Sequence, residues 1–257
     1  EIRLSLVGSE MCIRDRDGVN INDNCGSTHP EELMRFVKDA GLDLGLAFDG
    51  DADRMLAVDE NGELVDGDKV IAICSKRMKE EGRLAKNTAV VTVMSNMGFF
   101  KFCKENDIEC AKTAVGDRYV LERMLKDGYN IGGEQSGHVI FLDYASTGDG
   151  ELSGVQLVET VVKSGKKLSE LAQIMKVYPQ VLINVTVTPE GKQKYNNDEY
   201  IISAVQQAEM ELSGEGRVLV RVSGTEPLVR VMLEGADIEQ ITKLGNSIAD
   251  VVRERLS

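Results

Sequence analysis

Asp49, Asp51 and Asp53 occupy alternate positions in the stretch Phe48-Asp49-Gly50-Asp51-Ala52-Asp53-Arg54-Met55, and Arg54 follows at once. Three carboxylates within about 7 Å of chain repel one another unless a positive charge sits among them. Alternate residues of one loop can converge their oxygens, and carboxylate oxygens suit a hard divalent cation such as Mg2+ or Ca2+ better than a softer metal. Asp49, Asp51 and Asp53 are therefore the candidate metal ligands; the plain alternative is a solvated acidic turn. Glu60 completes an EF-hand-like spacing at loop positions one, three, five and twelve, but Arg54 stands where that loop needs glycine, and the flanks read as strands, not helices. An aspartyl phosphatase of the haloacid dehalogenase type also begins with an apolar strand and D-x-D. Here a third Asp and an Arg replace its threonine, and no later Asp-Asp pair follows.

Three further groups could do chemistry. Arg221-Val222-Ser223-Gly224-Thr225-Glu226-Pro227, with Arg230 beyond it, offers two hydroxyls, a glycine that admits backbone amides to a ligand, and two guanidiniums. Such a set can cradle a phosphate, or be an ordinary hairpin turn. Gly132-Gly133-Glu134-Gln135-Ser136-Gly137-His138 matches neither a serine-hydrolase elbow nor a P-loop. Its side chains suit a polyhydroxyl ligand, and His138 either carries protons near neutral pH or is structural. In Thr113-Ala114-Val115-Gly116-Asp117-Arg118, a helix N-terminus and Arg118 can both favour an anion, although Arg118 has acidic neighbours to pair with.

Composition narrows the partners. With 43 acidic against 30 basic residues and a formal charge of −13, the chain lacks the broad positive face that nucleic acid or an anionic membrane requires, so local cations must hold any phosphorylated ligand. Five cysteines form no C-x-x-C pair and only two histidines are present, which leaves no zinc spacing and predicts reduced thiols in a cytoplasmic protein. No apolar run reaches the ~18 residues of a membrane helix.

Alternating elements must position these groups. The spacing predicts a helix opened by a capping box at Thr28 and Glu31 and running to about Gly41, a strand over 42–48, the acidic loop, and a second strand from Met55 turning at 59–62. Helix from Asp68, strand TAVVTVM, helix near 98–106, strand over 108–113, and a helix capped by Asp117 follow, with connections suited to crossovers. IGGEQSGHVIF reads as a glycine-rich turn entering an apolar strand, and helices are expected over about 150–163 and 168–175. After Tyr178-Pro179 the order is strand, helix, strand, strand, helix, which suits a small sheet with helices on one face. Residues 1–16 (EIRLSLVGSEMCIRDR) show no clean period or turn chemistry and read as an unrelated leader of artefactual origin.

From about Asp17 onward, GVNINDNCGSTHPEEL, the metal loop, TAVGDRYV, GGEQSGH, the STGDG turn and RVSGTEPLVRVM, taken in order, resemble the α-D-phosphohexomutase family. They resemble its branch acting on glucosamine phosphates more than its phosphomannomutase branch. The resemblance implies mixed-sheet α/β domains followed by a small α+β domain: 17–66 closing a metal-binding second domain, 67–177 a sugar-binding third domain, and 178–257 a phosphate-binding C-terminal domain. It further implies that Asp49, Asp51 and Asp53 hold Mg2+ and that Arg54 lies beside the reacting phosphate. Glu134 and Ser136 would bind sugar hydroxyls, Arg221, Ser223, Gly224, Thr225 and Arg230 would grip the distal phosphate with help from Arg118, and His138 is a candidate proton carrier.

The implied reaction moves phosphate between O6 and O1 of glucosamine through a bisphosphorylated intermediate, on the route to UDP-N-acetylglucosamine and cell-wall precursors. A small phosphosugar is then the partner. No Ser-His-Asn tripeptide occurs in the chain, so the family's phosphoserine loop has no counterpart here. The expectation is a C-terminal fragment without mutase activity of its own; a sibling acting on glucose or mannose phosphates and a non-catalytic phosphosugar-binding module are the alternatives.

Overall fold

The computed structural model describes residues 21–257 except Thr225, so the leader expected over 1–16 lies outside the described residues. The chain divides into two compact units, a first ending at Lys176 and a second over Val177–Ser257.

In the first unit, helix α1 (Glu31–Ala40) stops at Gly41, whose φ of 63° is the left-handed conformation that closes helices. The expected capping box is absent: the Thr28 hydroxyl donates to the Cys25 carbonyl from a 3-10 turn over Gly26–Thr28, and Pro30 takes the N-cap position without a side-chain bond. Strand β1 (Leu44–Phe48) pairs antiparallel with β2 (Met55–Asp59), which pairs with the short β3 (Leu64–Val65). Phe48 stands opposite Met55, so residues 49–54 form the loop of this hairpin.

Helix α2 (Gly67–Glu80) is capped by Asp66, whose carboxylate accepts from the Lys69 amide, and it leads to a four-stranded sheet. Its strands β4 (Thr88–Thr92), β5 (Glu109–Thr113), β6 (Ile131–Gly133) and β7 (Val139–Phe141) lie in the order β5-β4-β6-β7. β4 runs parallel to both β5 and β6 because helices α3 (Met97–Glu105) and α4 (Asp117–Asp127) make the crossovers. Asp117 is the first residue of α4 and does not cap it; Gly116 occupies the cap position. Helices α5 (Gly150–Ser164) and α6 (Leu168–Ala172) complete the unit. One buried cluster, including Met55, Ile71, Val91, Phe99, Phe102, Ile131, Phe141 and Leu157, runs from the hairpin through α2 to the four-stranded sheet, so the two sheets share a core.

β6 is the element that sequence reading placed in a turn. Ile-Gly-Gly lacks strand-forming side chains, but a Cβ on Gly132 would meet the Val90 carbonyl at 2.8 Å and one on Gly133 would meet the His138 carbonyl at 2.3 Å. Backbones approach there more closely than any larger residue permits, and tertiary packing overrides local propensity.

The second unit is a sheet in the order β8-β10-β9, formed by β8 (Gln180–Thr186), β9 (Gly216–Val222) and β10 (Leu228–Gly235). β10 is antiparallel to both neighbours. Helices α8 (Glu199–Glu211) and α9 (Ile238–Leu256) pack on it through Ile201, Ala208, Ile241, Ile248 and Val252. A short helix α7 (Pro189–Lys194) went unread; Thr188 caps it by accepting from the Gly191 amide, and Pro189 sits in its first turn.

Among the described residues no helix is long and apolar enough to cross a membrane. Cys74, Cys103 and Cys110 are free thiols.

Candidate functional site

The 49–54 loop is built to crowd charge. Asp49, Asp51 and Asp53 each place one carboxylate oxygen within 4.8 Å of the other two. Inside the loop, the Ala52 amide donates to the Asp49 carbonyl (3.1 Å) and the Arg54 amide to Asp49 Oδ1 (3.1 Å). Ala52 has φ 57°, a left-handed conformation that alanine adopts at a cost of about 1 kcal/mol and that keeps the loop tight. Arg54 Nε lies 3.8 Å from both Asp49 Oδ2 and Asp53 Oδ1, and its half-exposed guanidinium offsets part of the charge at one edge.

Asp53 Oδ1 is shielded from solvent and makes no hydrogen bond, with the Arg54 guanidinium 3.8 Å away. A buried carboxylate oxygen in that condition is costly unless a cation reaches it. Three converging carboxylates, one of them with this orphaned oxygen, form an all-oxygen donor set that fits a hard divalent ion. Asp49, Asp51 and Asp53 are the residues that could hold it.

Two other segments wall this loop within the first unit. The turn between β6 and β7 reaches it through the Gly137 carbonyl, which accepts from the Met55 amide at 3.0 Å. It is clamped on its other side, since the Gly67 amide donates to the Gln135 carbonyl (3.0 Å) and Gln135 Nε2 donates to Asp66 Oδ2 (3.0 Å). Gln135 therefore serves the fold, whereas Ser136 stands exposed at the tip. Glu134 Oε1 accepts from the Gly116 amide at 3.0 Å, which ties this turn to the start of α4, whose second residue is Arg118.

The STGDG turn closes the back. Gly150 donates to the Ala52 carbonyl at 2.8 Å, and Gly148 donates to His138 Nε2 at 3.1 Å. Neither glycine's part was read from the sequence, although both sit in a recognised motif.

His138 lies beside the acidic loop. Its ring is 4% exposed, its Nδ1 lies 3.0 Å from Asp53 Oδ2, and its Nε2 takes the Gly148 amide. Both nitrogens are occupied by the protein. Arg118 lies in solvent, paired with Glu122 one turn on at 2.7 Å, the pairing its acidic neighbours allow.

In the second unit, Arg221 on β9 stands directly opposite Arg230 on β10. Like charges in register destabilise a sheet. Burial and the neighbouring Arg230 push the Arg221 guanidinium below its ordinary pKa. Arg230 hands one nitrogen to Glu226 at 2.5 Å while its Nε is buried without a partner. Ser223, nearly buried, accepts from the Glu226 amide at 3.2 Å, and Gly224 has open space around it. Thr225 lies outside the described residues. Two opposed guanidiniums, one with an idle buried nitrogen, form a site short of an anion.

Residues 66–178 match the model of the phosphoglucomutase/phosphomannomutase alpha/beta/alpha domain III, and residues 182–251 match that of the family's C-terminal domain. The chain belongs to the phosphoglucomutase/phosphomannomutase family. It is 59% identical over 240 residues to the phosphoglucosamine mutase of Brevibacillus brevis, covering 93% of this chain and 53% of that protein. It is 55% identical over 252 residues to that of Acetivibrio thermocellus, covering 97% and 56%. The chain thus spans about half the length of these relatives. Aspergillus fumigatus N-acetylphosphoglucosamine mutase, solved in complex with GlcNAc-6P and magnesium, shares the fold with a TM-score of 0.70 at 23% identity, over 92% of this chain and 54% of that one.

Proposed function

We propose that this chain supplies the metal-binding, sugar-binding and distal phosphate-binding parts of a mutase that interconverts glucosamine 6-phosphate and glucosamine 1-phosphate. One observation carries the reading: three carboxylates converge beside Arg54, and Asp53 Oδ1 is shielded from solvent without a hydrogen bond. The names of relatives at 55–59% identity support the choice of sugar. In this reading residues 17–66 belong to the metal-binding domain, 67–177 to the sugar-binding domain and 178–257 to the phosphate-binding domain.

Asp49, Asp51 and Asp53 would hold Mg2+, which when bound offsets charge developing on a transferred phosphoryl group. Arg54 lies at the loop edge, where its guanidinium can orient that group by hydrogen bonds to its oxygens. Glu134 has one carboxylate oxygen fixed by Gly116, which leaves Oε2 to accept from sugar hydroxyls, and exposed Ser136 can donate to them. Arg221 and Arg230 would close on the second, non-reacting phosphate with Ser223, Gly224 and Thr225.

The test is a coupled assay comparing glucosamine, glucose and mannose 6-phosphates. The 257 residues alone should turn over none, because no Ser-His-Asn segment is present to carry phosphate. The chain completed by the part of the Brevibacillus brevis relative that it leaves uncovered should favour glucosamine 6-phosphate. Preference for either other sugar would refute the substrate, and turnover by the 257 residues alone would refute the requirement for that segment. Phosphosugar binding without turnover, even in the completed chain, would instead establish a binding module.

A further inference from the structure

We propose that Cys103 and Cys110 form a dithiol site at which a low-molecular-weight disulfide closes a reversible Cys103–Cys110 bridge, with Cys110 as the attacking sulfur. The fold brings the pair together. Cys103 lies in the last turn of α3 (Met97–Glu105), and Cys110 is the second residue of β5 (Glu109–Thr113). Between them Asp107 takes φ 50°, which reverses the chain, and the Ile108 amide donates to the Cys103 carbonyl at 2.9 Å, which pins the helix end to the strand start. Across that turn the two side chains are in hydrogen-bond contact, and both thiols are free. Sulfurs so placed need only a small shift of a terminal helical turn, the part of a helix most ready to move, to reach bonding distance.

The two sulfurs differ in access and in charge. Cys103 is 2% exposed and belongs to the core with Phe99 and Phe102, whereas Cys110 is only partly buried at the edge of that core. The hydrogen bond from Cys103, aided by the Lys112 ammonium, holds the Cys110 thiol below its ordinary pKa although burial opposes it. The same hydrogen bond, and then burial, push the Cys103 thiol up. Lys112 Nζ sits 3.9 Å from the centre of the Phe100 ring, a contact that keeps the cation on this edge. The thiolate is the reactive form, so an incoming disulfide meets Cys110 first. Cys74 is the contrast: it is wholly buried, and burial pushes its thiol up to about 12.

The exchange runs in two steps. The Cys110 thiolate attacks one sulfur of the reagent, whose S–S bond breaks; half leaves as thiolate and half stays on Cys110 as a mixed disulfide. The Cys110 sulfur then carries no charge, so the part of the Cys103 shift due to that neighbour disappears. Cys103 gives its proton to solvent and attacks the Cys110 sulfur, forming the bridge and expelling the second half as thiolate. The protein loses two electrons and two protons, and the reagent is reduced to two thiols. Excess thiol runs the same steps backwards.

The test is to treat the native 257-residue chain with glutathione disulfide, block remaining thiols with N-ethylmaleimide, and map tryptic peptides by mass spectrometry. Cleavage after Lys101, Lys104 and Lys112 puts Cys103 in peptide 102–104 and Cys110 in peptide 105–112, so the bridge appears as one species holding both. That species should dominate, should vanish on treatment with dithiothreitol, and should leave Cys74 blocked by neither glutathione nor a bridge. In Cys103→Ser the reaction should stop with glutathione on Cys110. In Cys110→Ser, Cys103 should take up glutathione at least about tenfold more slowly than Cys110 does in Cys103→Ser. Native wild-type chain that keeps both thiols, stops at the mixed disulfide, or forms the bridge only in urea would overturn the site. Equal rates in the two variants would overturn Cys110 as the attacking sulfur. The wild-type mapping decides the bridge by itself should either serine variant fail to fold.

Discussion

Replacing Gly150 by Ala sets two effects of opposite sign against each other. Gly150 opens α5 with ordinary helical backbone, so alanine should on propensity alone stabilise the chain by up to about 1 kcal/mol. The added Cβ, however, would lie 2.7 Å from the Arg54 carbonyl oxygen, 2.8 Å from that of Ala52 and 2.9 Å from Phe48 Cδ1. Two of these neighbours are backbone atoms of the metal loop, which cannot rotate away. To reach ordinary contact the loop or the helix start must retreat by about 0.7 Å, a large shift for a close-packed interior. That movement stretches the 2.8 Å bond from Gly150 to the Ala52 carbonyl towards the limit of hydrogen bonding, a loss of about 1 kcal/mol. Overpacking adds about 1–3 kcal/mol. The steric loss exceeds the propensity gain, and Gly150→Ala should destabilise the chain by about 1–3 kcal/mol net in urea denaturation. Because the displaced atoms belong to the loop that bears Asp49, Asp51 and Asp53, Mg2+ affinity should fall in the same variant. Gly165→Ala is the control: its φ of +64° strains alanine, but nothing lies within 4 Å, so it should lose about 1 kcal/mol of stability and keep wild-type Mg2+ affinity. A Gly150→Ala chain as stable as wild type, or one destabilised with Mg2+ binding intact, would refute the claim that this glycine supports the loop.

Two further outcomes follow from charges elsewhere. Arg77 is 7% exposed and held by Glu159 at 2.7 Å and Gln156 at 2.6 Å, while bonds from Lys163 and Arg77 keep the Glu159 carboxyl at about 2, below its ordinary 4.5. Glu159→Gln leaves a nearly buried guanidinium uncompensated; discounted for the partial exposure of Glu159, the loss should be about 1–2 kcal/mol at pH 7. A depressed carboxyl contributes fully above its unfolded value and loses its contribution as pH falls through the folded one, so urea midpoints of wild type and variant should converge between pH 4.5 and 2. Arg221→Leu removes one of two opposed cations and should raise the melting temperature slightly in phosphate-free buffer, as like charges across a sheet are worth a few tenths to about 1 kcal/mol. Inorganic phosphate should raise the melting temperature of wild type and leave that of Arg221→Leu unchanged; an equal rise in both would remove the cradle.

What the sequence shows and what it hides divide along sequence distance. The acidic loop is legible because its chemistry is local: three carboxylates in five residues call for a cation wherever the chain places them, and apolar stretches on both sides specify the strands that present them. The Arg221–Arg230 opposition is legible for the same reason, since a hairpin sets its own register. Two local errors have local causes. Thr28 looked like a cap, but the 3-10 turn over Gly26–Thr28 sends its hydroxyl back to Cys25. Helix α7 had its signal in Thr188-Pro189, a cap followed by a first-turn proline, and it went unread.

What the sequence hides is of another kind. His138 and Asp53 are 85 positions apart, and no periodicity joins them. A lone histidine before an apolar strand has the same appearance whatever its ring faces; only the folded chain brings Asp53 to one ring nitrogen and the Gly148 amide to the other. The glycines of the STGDG turn are equally silent, because what they do is leave out a Cβ against atoms contributed by the hairpin and by the His138 ring. A candidate cation loop can thus be located from its own residues, but its walls come from distant segments whose contribution is backbone and empty space. Substitutions in the 148–150 turn should on this argument impair metal binding, although no residue of that turn is a candidate ligand.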